Sequence, residues 1–170
     1  EKISGKAYND EKNKKAMRII ADHIRAAVFI LGDEHIIKPS NVSQGYVLRR
    51  LIRRAIRYGK ILDINENFTA KLVDSVINVY PNYQELHKNR NFIITQLNEE
   101  ENKFNKTLEN GIKKFEQLSN SKEKVISGKD AFLLFQSYGF PIEMTQELAK
   151  EKNIKVDVKT YNTELKKHQE

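Results

Sequence analysis

Between Tyr46 and Gly59 the chain reads Tyr46-Val47-Leu48-Arg49-Arg50-Leu51-Ile52-Arg53-Arg54-Ala55-Ile56-Arg57-Tyr58-Gly59, and five of its eight arginines fall there within nine residues. Elsewhere positive charge is carried almost entirely by lysine. Lysine is a point charge on a flexible stem, whereas arginine is a planar fork that holds phosphate oxygens through two parallel hydrogen bonds. A segment that switches to arginine needs the fork. At about 100° per residue, Arg49, Lys60, Arg53, Arg57, Arg50 and Arg54 follow one another within an arc of roughly 140°. Leu51, Ala55, Leu48, Ile52 and Ile56 fill the opposite arc. No acidic residue occurs from Ile36 to Leu62. The like-charge pairs 49/53, 50/54 and 53/57 cost a helix roughly 0.2–0.5 kcal/mol each, and a merely solvated face normally mixes signs. The expectation is one buried apolar face and, opposite it, a ridge of guanidinium groups that binds a polyanion.

Other groups capable of chemistry are sparse. His23, His35, His87 and His168 are scattered. His23 lies beside Asp22 and near Arg25, where a base oriented by a carboxylate is conceivable, but a histidine satisfied by hydrogen bonds is the plainer expectation. Glu99-Glu100-Glu101 reads as an exposed face, since three adjacent helical residues point in different directions. There is no Gly-rich phosphate loop, no Gly-x-Ser-x-Gly and no His-Glu-x-x-His. Cysteine is absent, which removes disulfides, thiolate nucleophiles and zinc–thiolate sites. No catalytic constellation and no metal site is expected.

The 170 residues suit one domain, or one and a half. A net charge of +7 favours a nucleic acid or anionic surface as partner. The N-terminal Glu1-Lys2-Ile3-Ser4-Gly5-Lys6 has no apolar signal core, and no apolar run reaches membrane-spanning length. A cytoplasmic protein without a membrane partner is expected. The chain begins and ends in charged sequence, as an excised fragment would.

The elements that must position the arginines read as helices. The expected class is all-α, an elongated helical domain of about six helices. Asn9-Asp10 can cap a helix running to about Leu31, ended by Gly32-Asp33. After Lys38-Pro39-Ser40-Asn41, one of Ser40, Asn41 or Ser43 can cap the basic helix, with Gly59 as its C-cap. A third helix covers Phe68 to Tyr80, before Pro81. A long helix is expected near residues 83–118, striped by Ile93, Leu97, Phe104, Leu108, Ile112, Phe115 and Leu118. A polar loop, Ser119 to Lys124, leads to a short helix from Lys129 to Ser137. That helix ends at Tyr138-Gly139-Phe140-Pro141, where Gly139 is a natural C-cap and Pro141 a natural start. The next helix runs to about Lys152, the connector Asn153-Ile154-Lys155-Val156 is extended, and Asp157 caps a last helix. The subdivision expected is 1–125, with the basic helix, and 126–170.

Several of these segments together resemble one family. Ile20-Ala21-Asp22-His23-Ile24-Arg25-Ala26, then Pro39-Ser40-Asn41, then Gly45-Tyr46-Val47-Leu48-Arg49-Arg50-Leu51-Ile52-Arg53-Arg54-Ala55 resemble the alanyl-tRNA synthetases, in the helical region that follows the class II catalytic core. Glu99-Glu100-Glu101-Asn102-Lys103-Phe104-Asn105-Lys106-Thr107-Leu108-Glu109-Asn110-Gly111 resembles the family's long-helix segment. Ala131-Phe132-Leu133-Leu134-Phe135-Gln136-Ser137-Tyr138-Gly139-Phe140-Pro141 resembles its Tyr-Gly-Phe-Pro turn, and Asn153-Ile154-Lys155-Val156-Asp157 follows in order. The resemblance implies that 1–170 is a helical tRNA-recognition domain of an enzyme that attaches alanine to tRNA using ATP. It implies a catalytic core binding ATP, Mg²⁺ and alanine before Glu1, and an editing domain with zinc ligands after Glu170. Alone, this stretch would bind tRNA without aminoacylating it and without a cofactor. Its partners would be the acceptor stem of tRNA(Ala) and the enzyme's own catalytic domain.

The family recognises a G·U wobble pair in that stem. In such a pair the guanine 2-amino group is a free donor in the minor groove, and uracil O4 a free acceptor on the major-groove side. RNA is read at such irregularities because a regular A-form major groove is closed to side chains. The family's two reading positions, an asparagine and an aspartate, fall on Asn41 and Gln136. Asn41 can donate its amide to O4. Gln136 departs from the aspartate: it keeps a carbonyl acceptor but loses the charge, and hydrogen bonds to charged groups are worth about 1.5–3 kcal/mol against roughly 1 for neutral pairs. Arg49, Arg50, Arg53, Arg54, Arg57 and Lys60 would clamp phosphates and set register. Two other classes fit the charge: a DNA-binding module that uses the basic helix as recognition helix, and a helical scaffold whose basic face docks an acidic partner.

Overall fold

A computed structural model describes residues 1–120 and 124–169. The described chain is almost wholly helical, in agreement with the expected class, with eight helices where about six were expected. It forms two compact units, Glu1–Lys103 and Phe104–Glu170. Among the described residues, no helix is long and apolar enough to cross a membrane.

In the first unit, α1 (Glu11–Gly32) starts where the Asp10 carboxylate accepts the backbone N–H groups of Lys12 and Asn13, the local bond that makes aspartate a good N-cap. Its apolar residues Ala16, Ile20, Ile24, Ala27, Val28 and Leu31 are buried. They pack against Leu48, Ile52, Ala55 and Ile56 of α2 (Ser43–Ile61). Gly59 is not the C-cap. It lies inside α2, where a Cβ would come within 2.3 Å of the Phe68 ring, so this glycine permits a close approach.

The third helix is shorter than expected: a 3-10 turn, Thr69–Leu72, leads into α3 (Val73–Val79). The expected long helix is also divided. A single turn, α4 (Gln84–Lys88), precedes α5 (Arg90–Ser119). Between them Asn89 donates its side-chain amide to the carbonyl of Gly32 at 2.9 Å, satisfying the end of α1. The long-helix stripe itself holds, with Ile93, Leu97, Phe104, Leu108 and Phe115 buried. The units divide at Lys103–Phe104, inside α5.

In the second unit, β1 (Val125–Ile126) pairs in parallel with β2 (Lys155–Val156), part of the connector expected to be extended. The polar loop expected over Ser119 to Lys124 lies partly outside the described residues. Ser127 caps α6 (Gly128–Tyr138), its hydroxyl accepting from the Asp130 N–H. Gly139 ends α6 at φ +69°, the left-handed conformation that glycine adopts without strain. Pro141 then starts α7 (Ile142–Glu151), and Asp157 accepts the Thr160 N–H in the first turn of α8 (Val158–Gln169).

Tyr161 of α8 is buried against Phe135, ring edge to face at 6.1 Å. Burial, with Glu143 nearby, pushes its hydroxyl up to about 12. The folded value lies above the ordinary tyrosine value of about 10, so its neutral form stabilises the unit fully below about pH 10. That contribution is lost as pH rises through about 12. A tyrosinate absorbance titration should show one phenol ionising near pH 12 that is missing in Tyr161→Phe.

Candidate nucleic-acid interface

The loop before α2 is tied to the helix it precedes. Ser40 donates its N–H to the Gly45 carbonyl at 3.0 Å and its hydroxyl to the Val42 carbonyl at 3.0 Å. The N-cap is Val42, with no side-chain cap bond, and Ser43 opens the helix at φ +51°. The capping expected of Ser40, Asn41 or Ser43 is therefore absent, because the Ser40 hydroxyl and the Asn41 carbonyl are engaged elsewhere.

Asn41 is exposed, and its Oδ1 accepts from Nη1 of Arg49. A guanidinium can only donate, so the amide orientation is fixed by chemistry: oxygen toward Arg49, NH₂ outward. Nδ2 makes no hydrogen bond among the described residues. Arg49 also donates Nη2 to the Pro39 carbonyl at 3.3 Å. Its other edge holds Glu100 two ways, Nε to Oε1 at 3.0 Å and Nη2 to Oε2 at 3.4 Å.

Arg53 donates Nε to the same Glu100 oxygen at 2.6 Å and is only 8% exposed. Burial pulls its guanidinium pKa down, and the Glu100 charge opposes that shift. Arg57 is 5% exposed, with its guanidinium over the Tyr58 ring at 5.3 Å. Arg54 stands over the same ring at 5.4 Å and donates Nη1 to His23 Nε2 at 2.9 Å. His23 Nε2 must then be an acceptor, which leaves the proton on Nδ1, 3.2 Å from Asp22 Oδ2. As expected, His23 is a histidine held by hydrogen bonds. Arg50, Arg54 and Lys60 are half-buried.

Two expectations are corrected here. The basic arc of α2 is not a solvent-facing ridge, since Arg53 and Arg57 are buried. Nor is Glu99-Glu100-Glu101 an exposed face: Glu99 is exposed, but Glu100 is 2% and Glu101 0% exposed. The physical reason is shared. Glu100 and Glu101 sit one helical turn after Leu97 and before Phe104, on the buried stripe of α5, and Glu100 supplies the acid missing from residues 36–62. That spacing was the available signal for both glutamates. Glu101 accepts the N–H of Phe68 at 3.1 Å, the N–H of Thr69 at 3.0 Å and the Thr69 hydroxyl.

Gln136 belongs to the second unit. It is exposed in the last turn of α6, and its side chain makes no hydrogen bond among the described residues. The turn that follows is fixed by Thr107, whose hydroxyl donates to the Tyr138 carbonyl at 2.9 Å, and by Phe140, which packs on Phe104 at 6.0 Å. Tyr138, Phe140 and Pro141 thus shape this turn.

Residues 1–170 match the family described as tRNA synthetases class II (A). An alanine–tRNA ligase of Borrelia hermsii is 49% identical over 176 residues, covering 100% of this chain and 29% of the relative. That of Picosynechococcus is 44% identical over 165 residues, covering 95% of this chain and 18% of the relative. That of Thermotoga is 42% identical over 174 residues, covering 99% and 20% respectively. The chain thus spans less than a third of the length of these relatives.

Proposed function

The chain belongs to the class II tRNA synthetases, among the alanine–tRNA ligases, and we propose that it reads the acceptor stem of tRNA(Ala) for an enzyme that attaches alanine using ATP. Asn41 donates Nδ2 to uracil O4 of a G·U wobble pair, and the Gln136 carbonyl accepts from the guanine 2-amino group. The observation that carries this is the Asn41 amide, exposed on a tied loop with its oxygen occupied by Arg49 and its donor outward. A wobble O4 needs a donor, and a donor is what this side chain offers. The half-buried Arg50, Arg54 and Lys60 meet stem phosphates, while Arg53 and Arg57 hold the helix in place. ATP, Mg²⁺ and alanine belong to the enzyme's catalytic core, zinc to its editing domain, and its site of action is the cytoplasm.

No residue from Leu48 to Lys60 is fully exposed, so α2 offers little side-chain surface for reading bases in a DNA major groove.

The test is binding of the 170-residue chain to acceptor-stem hairpins carrying G·U or G·C. The expected result is several-fold tighter binding of G·U, with Asn41→Ala and Gln136→Ala each narrowing the preference by about 3- to 10-fold, as for one lost hydrogen bond. Equal binding of the two hairpins overturns the proposal.

A further inference from the structure

We propose that Arg49 and Glu100 are positioning residues for base reading, holding Asn41 with its donor outward, and that Arg49 does not contact phosphate. The inference rests on the reading that Asn41 donates to the wobble pair, and it reassigns an arginine whose type and position suggested a phosphate clamp.

The geometry accounts for the guanidinium edge by edge. Nε and Nη2 face the Glu100 carboxylate at 3.0 and 3.4 Å, Nη2 also reaches the Pro39 carbonyl at 3.3 Å, and Nη1 reaches Asn41 Oδ1. Glu100 is buried and shared with Arg53, so it is a fixed point rather than a mobile surface acid. A bidentate carboxylate sets the plane of the fork, and the plane sets where Nη1 points. The line from Glu100 through Arg49 to Asn41 converts a rigid interior contact into one amide orientation at the surface. An unheld asparagine presents either its oxygen or its nitrogen by rotating about its last bond. The amide face would repel uracil O4 in one of those two states. Lysine cannot replace Arg49, because a single ammonium cannot satisfy Glu100 and Asn41 in fixed directions at once.

The experiment compares the 170-residue chain with Arg49→Lys, Asn41→Ala, their double variant and Asn41→Asp. Each is measured for G·U and G·C hairpin affinity, for salt dependence and for thermal unfolding. Arg49→Lys is expected to lower the G·U-over-G·C ratio by about 3- to 10-fold while leaving the salt slope unchanged. In the Asn41→Ala background it should lower the ratio no further, because its effect passes through that side chain. Asn41→Asp keeps an oxygen for Arg49 and replaces the outward donor by an acceptor. As a surface change it folds even if Arg49→Lys does not, and it should abolish the preference.

A fall in affinity for both hairpins alike, with a shallower salt slope, would make Arg49 a phosphate contact and overturn the inference. So would an undiminished effect of Arg49→Lys in the Asn41→Ala background, or a preference retained by Asn41→Asp. If Asn41→Ala itself leaves the ratio unchanged, the base-reading role of Asn41 fails, and the positioning role falls with it. If Asn41→Ala lowers the ratio but Arg49→Lys does not, only the positioning role fails.

Discussion

Glu100→Ala is expected to destabilise the first unit by about 3–5 kcal/mol, the cost of removing one partner from a buried ion pair. Glu100 bridges Arg49 and Arg53, and Arg53 is 8% exposed. Removing the carboxylate takes a bonded counter-charge from a guanidinium that is nearly shut off from water and stays protonated. Exposed pairs of the same chain, such as Lys14–Glu11 and Lys167–Glu164, contribute about 0–1 kcal/mol each at most, so the effect at Glu100 should stand well clear of them. Glu100→Gln keeps the volume but loses the charge, and should fall between alanine and the parent. Pairing Glu100→Met with Arg53→Met should recover much of the loss, because apolar replacement of a whole buried pair is often close to neutral. Denaturant unfolding followed by circular dichroism measures all four chains. A loss below about 1 kcal/mol in Glu100→Ala would mean that the arginines find water or other acids.

The second large effect is at the neighbouring glutamate. Glu101→Ala is expected to cost about 3–4 kcal/mol. It leaves the Phe68 and Thr69 N–H groups and the Thr69 hydroxyl without their acceptor, and each buried unsatisfied group costs about 1–3 kcal/mol, less than additively since one turn relaxes together. The loss should also depend on pH. Burial raises the Glu101 pKa above the ordinary carboxylate value, while the bonds from Thr69 and Phe68 pull it part of the way back. A carboxyl raised in the folded state binds protons more tightly folded than unfolded. Its contribution is therefore full below the unfolded pKa and is lost as pH rises through the folded one. Glu101→Gln cannot titrate, so its deficit against the parent should be largest in acid and narrow as pH rises out of the carboxylate range. A deficit that widened with pH would show that the charged form is the one the fold prefers.

Both glutamates mark where sequence patterns stop being sufficient. Helix ends were legible where one side chain settles them: Asp10 caps α1 and Gly139 terminates α6 with its own left-handed backbone. The α5 stripe was legible because burial follows the period of the helix. The division between α4 and α5 was not, since it depends on Asn89 reaching a carbonyl of α1, 57 residues away. Gly59 looked like a helix end and is instead the space for a ring of Phe68. Of the candidate site, the residue types and the family were legible. Which of the arginines are buried was not.

By itself the sequence determined that the chain is helical, that its apolar stripes pack, and which family it belongs to. These follow from local periodicity, capping chemistry and ordered motifs, each carried by residues close together in the chain. Only the tertiary structure decided which charges meet. Arg49 and Arg53 find Glu100 about fifty residues further on, and that contact draws two arginines of the basic arc into a network with a buried acid. A charge on a helical wheel has an angle but no partner, and a guanidinium fork fits a carboxylate as well as a phosphate. The fold selects between them by what it packs against the helix.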